Sequence, residues 1–393
     1  MKRRHLYATI ISFSSLYAGI QPSAGVIFVP SDTSVGDWDD ATKTYTLTQD
    51  LTEPIEIVSN GITLDGAGHT LISSLVYPYL DCGISLYGRI GVTVKDLTIG
   101  KFGPGIYLLN SNNNTLTGNT VSDCSMSGIY LFNSSNNTLT GNRVSNSIWG
   151  IFVNSHSNKN TMKDNAVLDQ RRGGMILSNC CEENILMGNT ASNNFGSGVV
   201  LWDDCNANTV AGNTIESNKE HGIWLVRSHV NQIYSNNFIG NAQQASVRYS
   251  SGNVFSLPAP HGGNYWSNWT NPHNNVCGCL DRPYIFPGGH DDLPWVAPNC
   301  WDLFALQQML ELLKEQVVVL RSNKDISIGL EAKIKAALDV LDDFNENNDA
   351  VATNSLEAFI NAVESMRGST ISEEQAETLT TTARQIIDLL VAE

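Results

Sequence analysis

The sequence predicts an all-β coil of short parallel strands, about 23 residues to a turn, followed by a small all-α helical bundle. Three patterns carry this expectation. An asparagine pair recurs: Asn114-Thr-Leu-Thr-Gly-Asn119-Thr-Val121 is nearly copied from Asn137 to Val144, then more loosely from Asn160, Asn184, Asn208 and Asn231. The second asparagines, Asn119, Asn142, Asn165, Asn189, Asn213 and Asn236, are spaced 23, 23, 24, 24 and 23 residues apart. A glycine marker keeps step at Gly105-Ile-Tyr-Leu, Gly128-Ile-Tyr-Leu, Gly150-Ile-Phe-Val, Gly174-Met-Ile-Leu, Gly198-Val-Val-Leu and Gly222-Ile-Trp-Leu. Beyond residue 300 the apolar period becomes helical. A fixed period in this range marks a repeat architecture.

Each repeat holds apolar triplets rich in β-branched residues, bounded by Gly, Asn, Ser and Asp, which is strand and turn chemistry. One repeat supplies about three strands of 3–5 residues. Strands of successive coils then lie about 4.8 Å apart. The asparagine is expected at the bend, in the left-handed region that Asn tolerates, with its amide stacked into a ladder. Its role is structural. Leucine-rich repeats need a helix or more leucine, and propeller blades need about 40 residues.

The 393 residues suggest two domains. A formal charge of −16 with 16% charged residues argues against a nucleic-acid partner. An anionic polymer would need a local basic patch or bridging cations. Residues 1–24 read as a signal peptide: Lys2, Arg3, Arg4 and His5, a short apolar run from Leu6 to Ile20, then small residues. The run is too short for a transmembrane anchor. The chain is expected to be secreted, extracellular or periplasmic.

Residues 25–59 read as an amino-terminal cap, because a β-coil end exposes an apolar section and unpaired edges. Residues 60–250 form the coil, with Ile62 to Leu71 its first turn. Counting five, six and seven residues from each marker glycine predicts three columns on one face. The first holds Ser155, Asn179, Asp203 and Arg227. The second holds His156, Cys180, Asp204 and Ser228. The third holds Ser157, Cys181, Cys205 and His229. Asp203 then faces Arg227 beside Trp202, while Arg171, Arg172, Glu220 and His221 precede markers.

Eight cysteines after a signal peptide favour disulfides. Cys181 and Cys205 share a register at a separation a disulfide accepts, and Cys277 or Cys279 can pair with Cys300. No metal is expected. The competing reading, a soft-metal site of Cys180, Cys181, Cys205 and His229, would suit copper(I) or zinc.

The repeat resembles the right-handed parallel β-helix of the pectin-lyase-like superfamily, and most of all its NosD-type branch of carbohydrate-binding and sugar-hydrolysis repeats, over about residues 60–295. The aromatic stretch 251–300 strengthens the likeness. His261-Gly-Gly-Asn-Tyr-Trp-Ser and Asp281-Arg-Pro-Tyr, with the closing Gly288-Gly-His-Asp-Asp-Leu-Pro-Trp295, resemble the carboxy-terminal cap of NosD-type coils. The family's calcium-loop-like segment corresponds to Asn271–Cys279, which holds no aspartate, so calcium is a possible cofactor only by resemblance. The resemblance also implies a copper-linked role in some relatives. Residues 301–393 show Phe359-x-x-x-Val-Glu-x-Met and Gly368-x-x-Ile-Ser-x-Glu-x-Ala. They resemble the FIMAH module of secreted bacterial enzymes, which implies contact with another secreted protein or with the β-helix rather than chemistry. Helices are expected at about 302–322, 328–345, 348–366 and 372–392.

Enzymes of this fold, as the resemblance implies, cleave polysaccharides along one face of the coil. Hydrolases among them need two carboxylates at a defined gap. Candidate catalytic residues are Asp203, Asp204, Glu220, His221 and Arg227, with Glu182, Glu183 and His229 behind them. Candidate ligand-binding residues are Trp202, Asp203, Arg227 and Trp224, since indoles can stack on sugar rings. The favoured reading is binding of carbohydrate or a cell-envelope polymer along the 150–230 face. A polysaccharide lyase or glycosidase is the alternative, and a copper-handling accessory protein the third.

Overall fold

A computed structural model describes residues 25–74, 81–258, 261–269, 282–319, 324–341 and 349–391. The stretch 1–24, expected to be a signal peptide, and 270–281 with Cys277, Cys279 and the segment that resembles a calcium loop, lie outside the described residues. The chain divides into two compact units. One runs to residue 233 and includes 237–254 and 286–289; the other holds 234–236, 255–285 and 290–393.

The first unit is the expected coil. Its first sheet stacks ten strands, from Ile27–Val29 to Gln243–Arg248, in chain order. A second sheet runs in parallel from Thr44–Leu47 through Thr63–Asp65 to Thr209–Ala211, and a third from Thr70–Ile72 to Asn237–Ile239. Pairing is residue on residue: Ile106 on Ile129, Ile129 on Ile151, Ile151 on Met175, Met175 on Val199 and Val199 on Ile223. All of these are buried. Because a strand shows alternate side chains to opposite faces, three-residue strands with one central apolar residue suffice to fill the interior, as Thr115-Leu116-Thr117 does. The stack begins at Ile27, inside the stretch read as a cap. An antiparallel hairpin of Gly36–Asp39 and Thr44–Leu47 stands there.

The amide ladders form, with one difference from expectation. The left-handed residue is the one before each asparagine: Asn113, Asn136, Lys159, Glu183, Ala207 and Val230 precede Asn114 to Asn231 with φ between 53° and 57°. The ladder side chain must point into the corner to reach the next coil, so the residue ahead of it makes the bend. Asn137 donates its N–H and Nδ2 to Asn160 Oδ1 at 2.9 and 3.0 Å, and its Nδ2 also to Ser111 O at 3.0 Å. A third ladder, through Ser147, Gln170, Asn194, Asn218 and Asn241, lines the remaining corner. The marker glycines serve packing: a Cβ on Gly150 would overlap Val167 Cγ1 and sit 2.6 Å from Gly174 O.

The second unit contains an aromatic cluster and four helices, α1 Cys300–Val319, α2 Lys324–Val340, α3 Asp349–Met366 and α4 Glu373–Val391. Leu356, Phe359 and Val363 of α3 meet Leu379, Ala383 and Ile386 of α4 in one core with residues of α1 and α2. The capping box is reciprocal: Gln375 N donates to Ser372 Oγ at 3.2 Å and Ser372 N to Gln375 Oε1 at 3.1 Å. Gly368, at φ 70°, ends α3. In the aromatic cluster Trp266 stacks on Tyr284 at 4.4 Å. Buried Asp291 accepts from Asn264 N, Trp266 Nε1 and Leu293 N at 2.7, 2.8 and 3.0 Å. Among the described residues no helix is long and apolar enough to cross a membrane.

Candidate functional site

The three sheets differ outside. The second carries Thr115, Thr117, Thr138, Thr140 and Lys163 on its outer side, and the third Thr120, Arg143 and Ser145. The first sheet is apolar outside as well as inside. Tyr107, Tyr130, Phe152, Ile176, Val200 and Trp224 stand in one outward column, each paired with the next. Leu109, Phe132, Asn154, Ser178, Trp202 and Val226 form the second. Tyr107 and Tyr130 stack at 5.1 Å, as do Tyr130 and Phe152. Asn154 Nδ2 donates to Tyr130 OH at 3.2 Å, and burial pushes the Tyr130 phenol up to about 12. Most of this layer is buried, with half-buried Tyr87, Leu109, Phe132, Trp149 and Trp224 at its margin.

This layer was not drawn from the sequence, although its signal is present. In Gly-Ile-Tyr-Leu the alternation puts Ile and Leu inside and the aromatic between them outside. Trp202 is 7% exposed, so its ring offers no open face. Trp224 is half-buried and lies flat against His221, with ring centroids 5.4 Å apart and planes 9° apart.

One rim of the layer precedes the strands. His221 Nδ1 is 3.1 Å from Ser197 Oγ, and burial first, then the charge of Arg248, lowers its pKa. Arg172 lies over Trp149 at 6.0 Å from its centroid, and Trp149 packs on Phe152 at 5.5 Å. Glu220 is exposed and its N–H donates to Gly196 O at 3.1 Å.

The other rim follows the strands. Asp203 and Arg227 meet as expected, Arg227 Nε donating to Asp203 Oδ1 at 2.6 Å. Asp204 is exposed on the same corner, above Cys180 and His156 in register: Cys180 N donates to Asp203 O and His156 N to Asn179 O. Beyond Asp204 the expected columns slip by one. Ser228 stacks on Cys205, its Oγ accepting from Cys205 N at 3.3 Å, and His229 N donates to Asn206 Oδ1 at 2.7 Å. The cause is local. The corners at Ser155-His156, Asn179-Cys180 and Asp203-Asp204 each hold two left-handed residues, whereas the next holds only Arg227.

The rims are the length of a strand apart. Glu220 sits beside Gly196, and about 20 Å of extended chain separates Gly196 from Asp203. The structure therefore does not bring Asp203 or Asp204 together with Glu220 and His221. That gap exceeds the roughly 5–9.5 Å that either class of glycosidase needs.

Nor do the cysteines converge on a metal. Among the described residues no group of three or more His, Cys, Asp or Glu side chains could hold an ion. Cys181 and Cys205 are stacked neighbours as expected, yet both stand as free thiols, donating to Ser178 O at 3.1 Å and Trp202 O at 3.3 Å. Burial and the adjacent Cys181 push the Cys205 thiol well up. Cys180 is half-buried on the outside of the corner, and His229 Nδ1 lies 2.9 Å from Ser251 Oγ. These residues do not fit a copper or zinc centre. Cys300 is buried and disulfide-bonded; its expected partner Cys279 lies outside the described residues.

The chain is similar to several solved structures. A mutant of the periplasmic alginate epimerase AlgG is similar at 13% identity and a TM-score of 0.38, over 59% of this chain and 83% of that one. Pectate lyase Pel9A is similar at 13% identity and a TM-score of 0.41, over 61% and 72%. The DFA-IIIase from Arthrobacter chlorophenolicus A6 without its lid is similar at 15% identity and a TM-score of 0.42, over 59% and 60%. No curated protein sequence matches the chain. A family model described as "Periplasmic copper-binding protein (NosD)" matches residues 55–271, which is 217 of 393 residues. With its ladders, marker glycines and right-handed parallel coil, the chain belongs to the NosD family.

Proposed function

We propose that this protein binds a carbohydrate polymer of the cell envelope or its surroundings along the outer side of the first sheet. One observation carries the reading: among the described residues the outer side of the first sheet is an aromatic and aliphatic layer, with Trp149 and Trp224 half-buried at its margin. A sugar polymer offers apolar ring faces to these two indoles. The same reading takes residues 1–24 as a signal peptide and 301–393 as a FIMAH-like attachment module of a secreted protein.

The family description names copper, but the described residues do not fit that metal. The test is affinity electrophoresis of the full chain against a polysaccharide panel, with Trp149→Ala and Trp224→Ala. The expected result is retardation by at least one polymer, weakened about tenfold or more in each variant, since 1.4 kcal/mol is tenfold. Retardation unchanged in both variants would remove the reading. Release of unsaturated products or new reducing ends would replace it with the enzymatic one.

A further inference from the structure

We propose that Ser197 and His221 form a nucleophile–base dyad that hydrolyses short-chain carboxylic esters beside the outer layer of the first sheet, with Gln243 as its positioning residue. The three stand in one column on successive coils. Gly198 N donates to His221 O at 2.8 Å, and His221 pairs with Gln243 in register. Ser197 Oγ lies 3.1 Å from His221 Nδ1, within the reach of a hydroxyl nucleophile for its base. The ring lies flat on Trp224, which fixes its plane.

The surroundings of the ring set its proton. Burial lowers the pKa of His221 most and the charge of Arg248 next, while a hydrogen bond to the Gln243 side chain opposes them. Glu220, the anion next to it in the chain, is exposed. The ring is therefore neutral at pH 7, the state that takes up a proton. A hydrogen bond that raises an imidazole pKa is one that the ring donates. Gln243 Nε2 is already held by Ala245 O at 3.2 Å, which leaves Oε1 as the acceptor. Gln243 stands on the coil after His221 and Ser197 on the coil before it. Nε2 of the ring then carries the proton, and Nδ1 accepts from the Ser197 hydroxyl.

Glycines clear the space about that hydroxyl. Gly196 and Gly198 flank Ser197, and Gly173 stands beside it on the preceding coil, where Gly174 N donates to Ser197 O at 3.0 Å. A Cβ on Gly173 would lie 3.1 Å from Ile176 Cδ1, in the outer apolar layer. Its absence leaves room for a small acyl group, and the burial of Ser197, 3% exposed, admits no bulky one. Ser197 Oγ bonds to the ester carbonyl carbon as its proton passes to His221 Nδ1. The charge of Arg248, already felt at the ring, favours the oxyanion. The carbon–oxygen bond to the alcohol breaks, and the alcohol leaves with that proton. Water then gives a proton to the same nitrogen and splits the acyl-serine to the carboxylic acid, and the proton returns to Ser197. Ester and water become acid and alcohol, with no other reactant.

The experiment treats the full chain with p-nitrophenyl acetate and, separately, with a fluorophosphonate probe whose point of attachment is mapped by mass spectrometry. The expected result is ester hydrolysis and an adduct on Ser197. Ser197→Ala and His221→Gln should each lower the rate at least about a hundredfold. The rate should rise between about pH 5 and 8 with a midpoint below 6.5, as the base loses its proton. Gln243→Ala should lower kcat several-fold at unchanged KM, and Gln243→Glu, which keeps an acceptor, should restore it. Equal loss in both Gln243 variants would overturn the positioning role. The adduct on wild type decides the nucleophile even if a variant folds poorly. Hydrolysis unaltered in Ser197→Ala, an adduct on another residue, or neither hydrolysis nor adduct would overturn the dyad. Retardation by a polysaccharide without this chemistry would overturn the dyad and leave polymer binding standing. Hydrolysis through Ser197 without retardation by any polymer would do the reverse.

Discussion

Asn160 donates both its backbone N–H and its Nδ2 to Asn184 Oδ1, one coil on, at 2.9 and 3.0 Å. Asn184 repeats the arrangement with Asn208 at 2.8 and 3.0 Å. All three are buried. Asn184→Ala leaves two Asn160 donors unpaired at about 1–3 kcal/mol each. The expected loss is about 2–5 kcal/mol in urea unfolding. Exposed Arg143→Lys, on the outer side of the third sheet, should change stability by less than about 0.5 kcal/mol.

Gly150 illustrates packing without backbone strain, since its φ is not positive. Gly150→Ala sets a methyl against Val167 Cγ1, and overpacking of this kind costs about 1–3 kcal/mol. Val167→Ala removes the obstructing methyls. The double variant should therefore be more stable than the sum of the two single losses implies, by about 0.5 kcal/mol or more. Strict additivity would show that the two side chains do not meet.

Asp291 gives a pH dependence opposite to that of most carboxylates. Burial pushes its carboxyl up to about 6, against the opposing donors Asn264 N, Trp266 Nε1 and Leu293 N. The folded pKa lies above the unfolded 3.8, so the native state holds the proton more tightly. Its contribution is full below about 3.8 and is lost as pH rises through about 6. The difference corresponds to about 3 kcal/mol. Unfolding of the second unit, followed by tryptophan fluorescence from pH 3 to 8, should show that decline. Asp291→Asn should flatten it.

Thiol accessibility separates the cysteines. Cys82, Cys124, Cys181 and Cys205 are buried, while Cys180 is half-buried. Brief alkylation of the folded chain, mapped by mass spectrometry, should label Cys180 first, and slowly, because burial and nearby acidic groups raise its pKa. After denaturation all five should label. Failure of Cys181 and Cys205 to label without reductant would restore the disulfide expected from their shared register.

The coil was legible because its period is nearly invariant: fixed spacing of Asn119, Asn142 and Asn165 admits few folds, and Gly128, Gly150 and Gly174 confirm the phase. The contact of Asp203 with Arg227 followed from the same count. That count failed one residue later, since marker glycines do not reveal how many left-handed residues a corner holds. The ladder does. Trp202 to Asn208 is six positions, but Val226 to Asn231 is five, so the shorter corner places Ser228 on Cys205. Grouping polar residues on one face also missed that Glu220 and His221 stand before the strands and Asp203 after them. The outer aromatic layer was missed because Tyr107 and Tyr130 were read as part of apolar runs. A two-residue alternation separates them from Ile106 and Ile129.

The most direct measurement is oxidative footprinting of side chains in the full chain with and without a polysaccharide that retards it in affinity electrophoresis, read by mass spectrometry. The account predicts protection of Trp149 and Trp224, and none of Trp38 on the amino-terminal hairpin. Protection confined to Trp38 or to the second sheet, with Trp149 and Trp224 unaltered by a bound polymer, would contradict it.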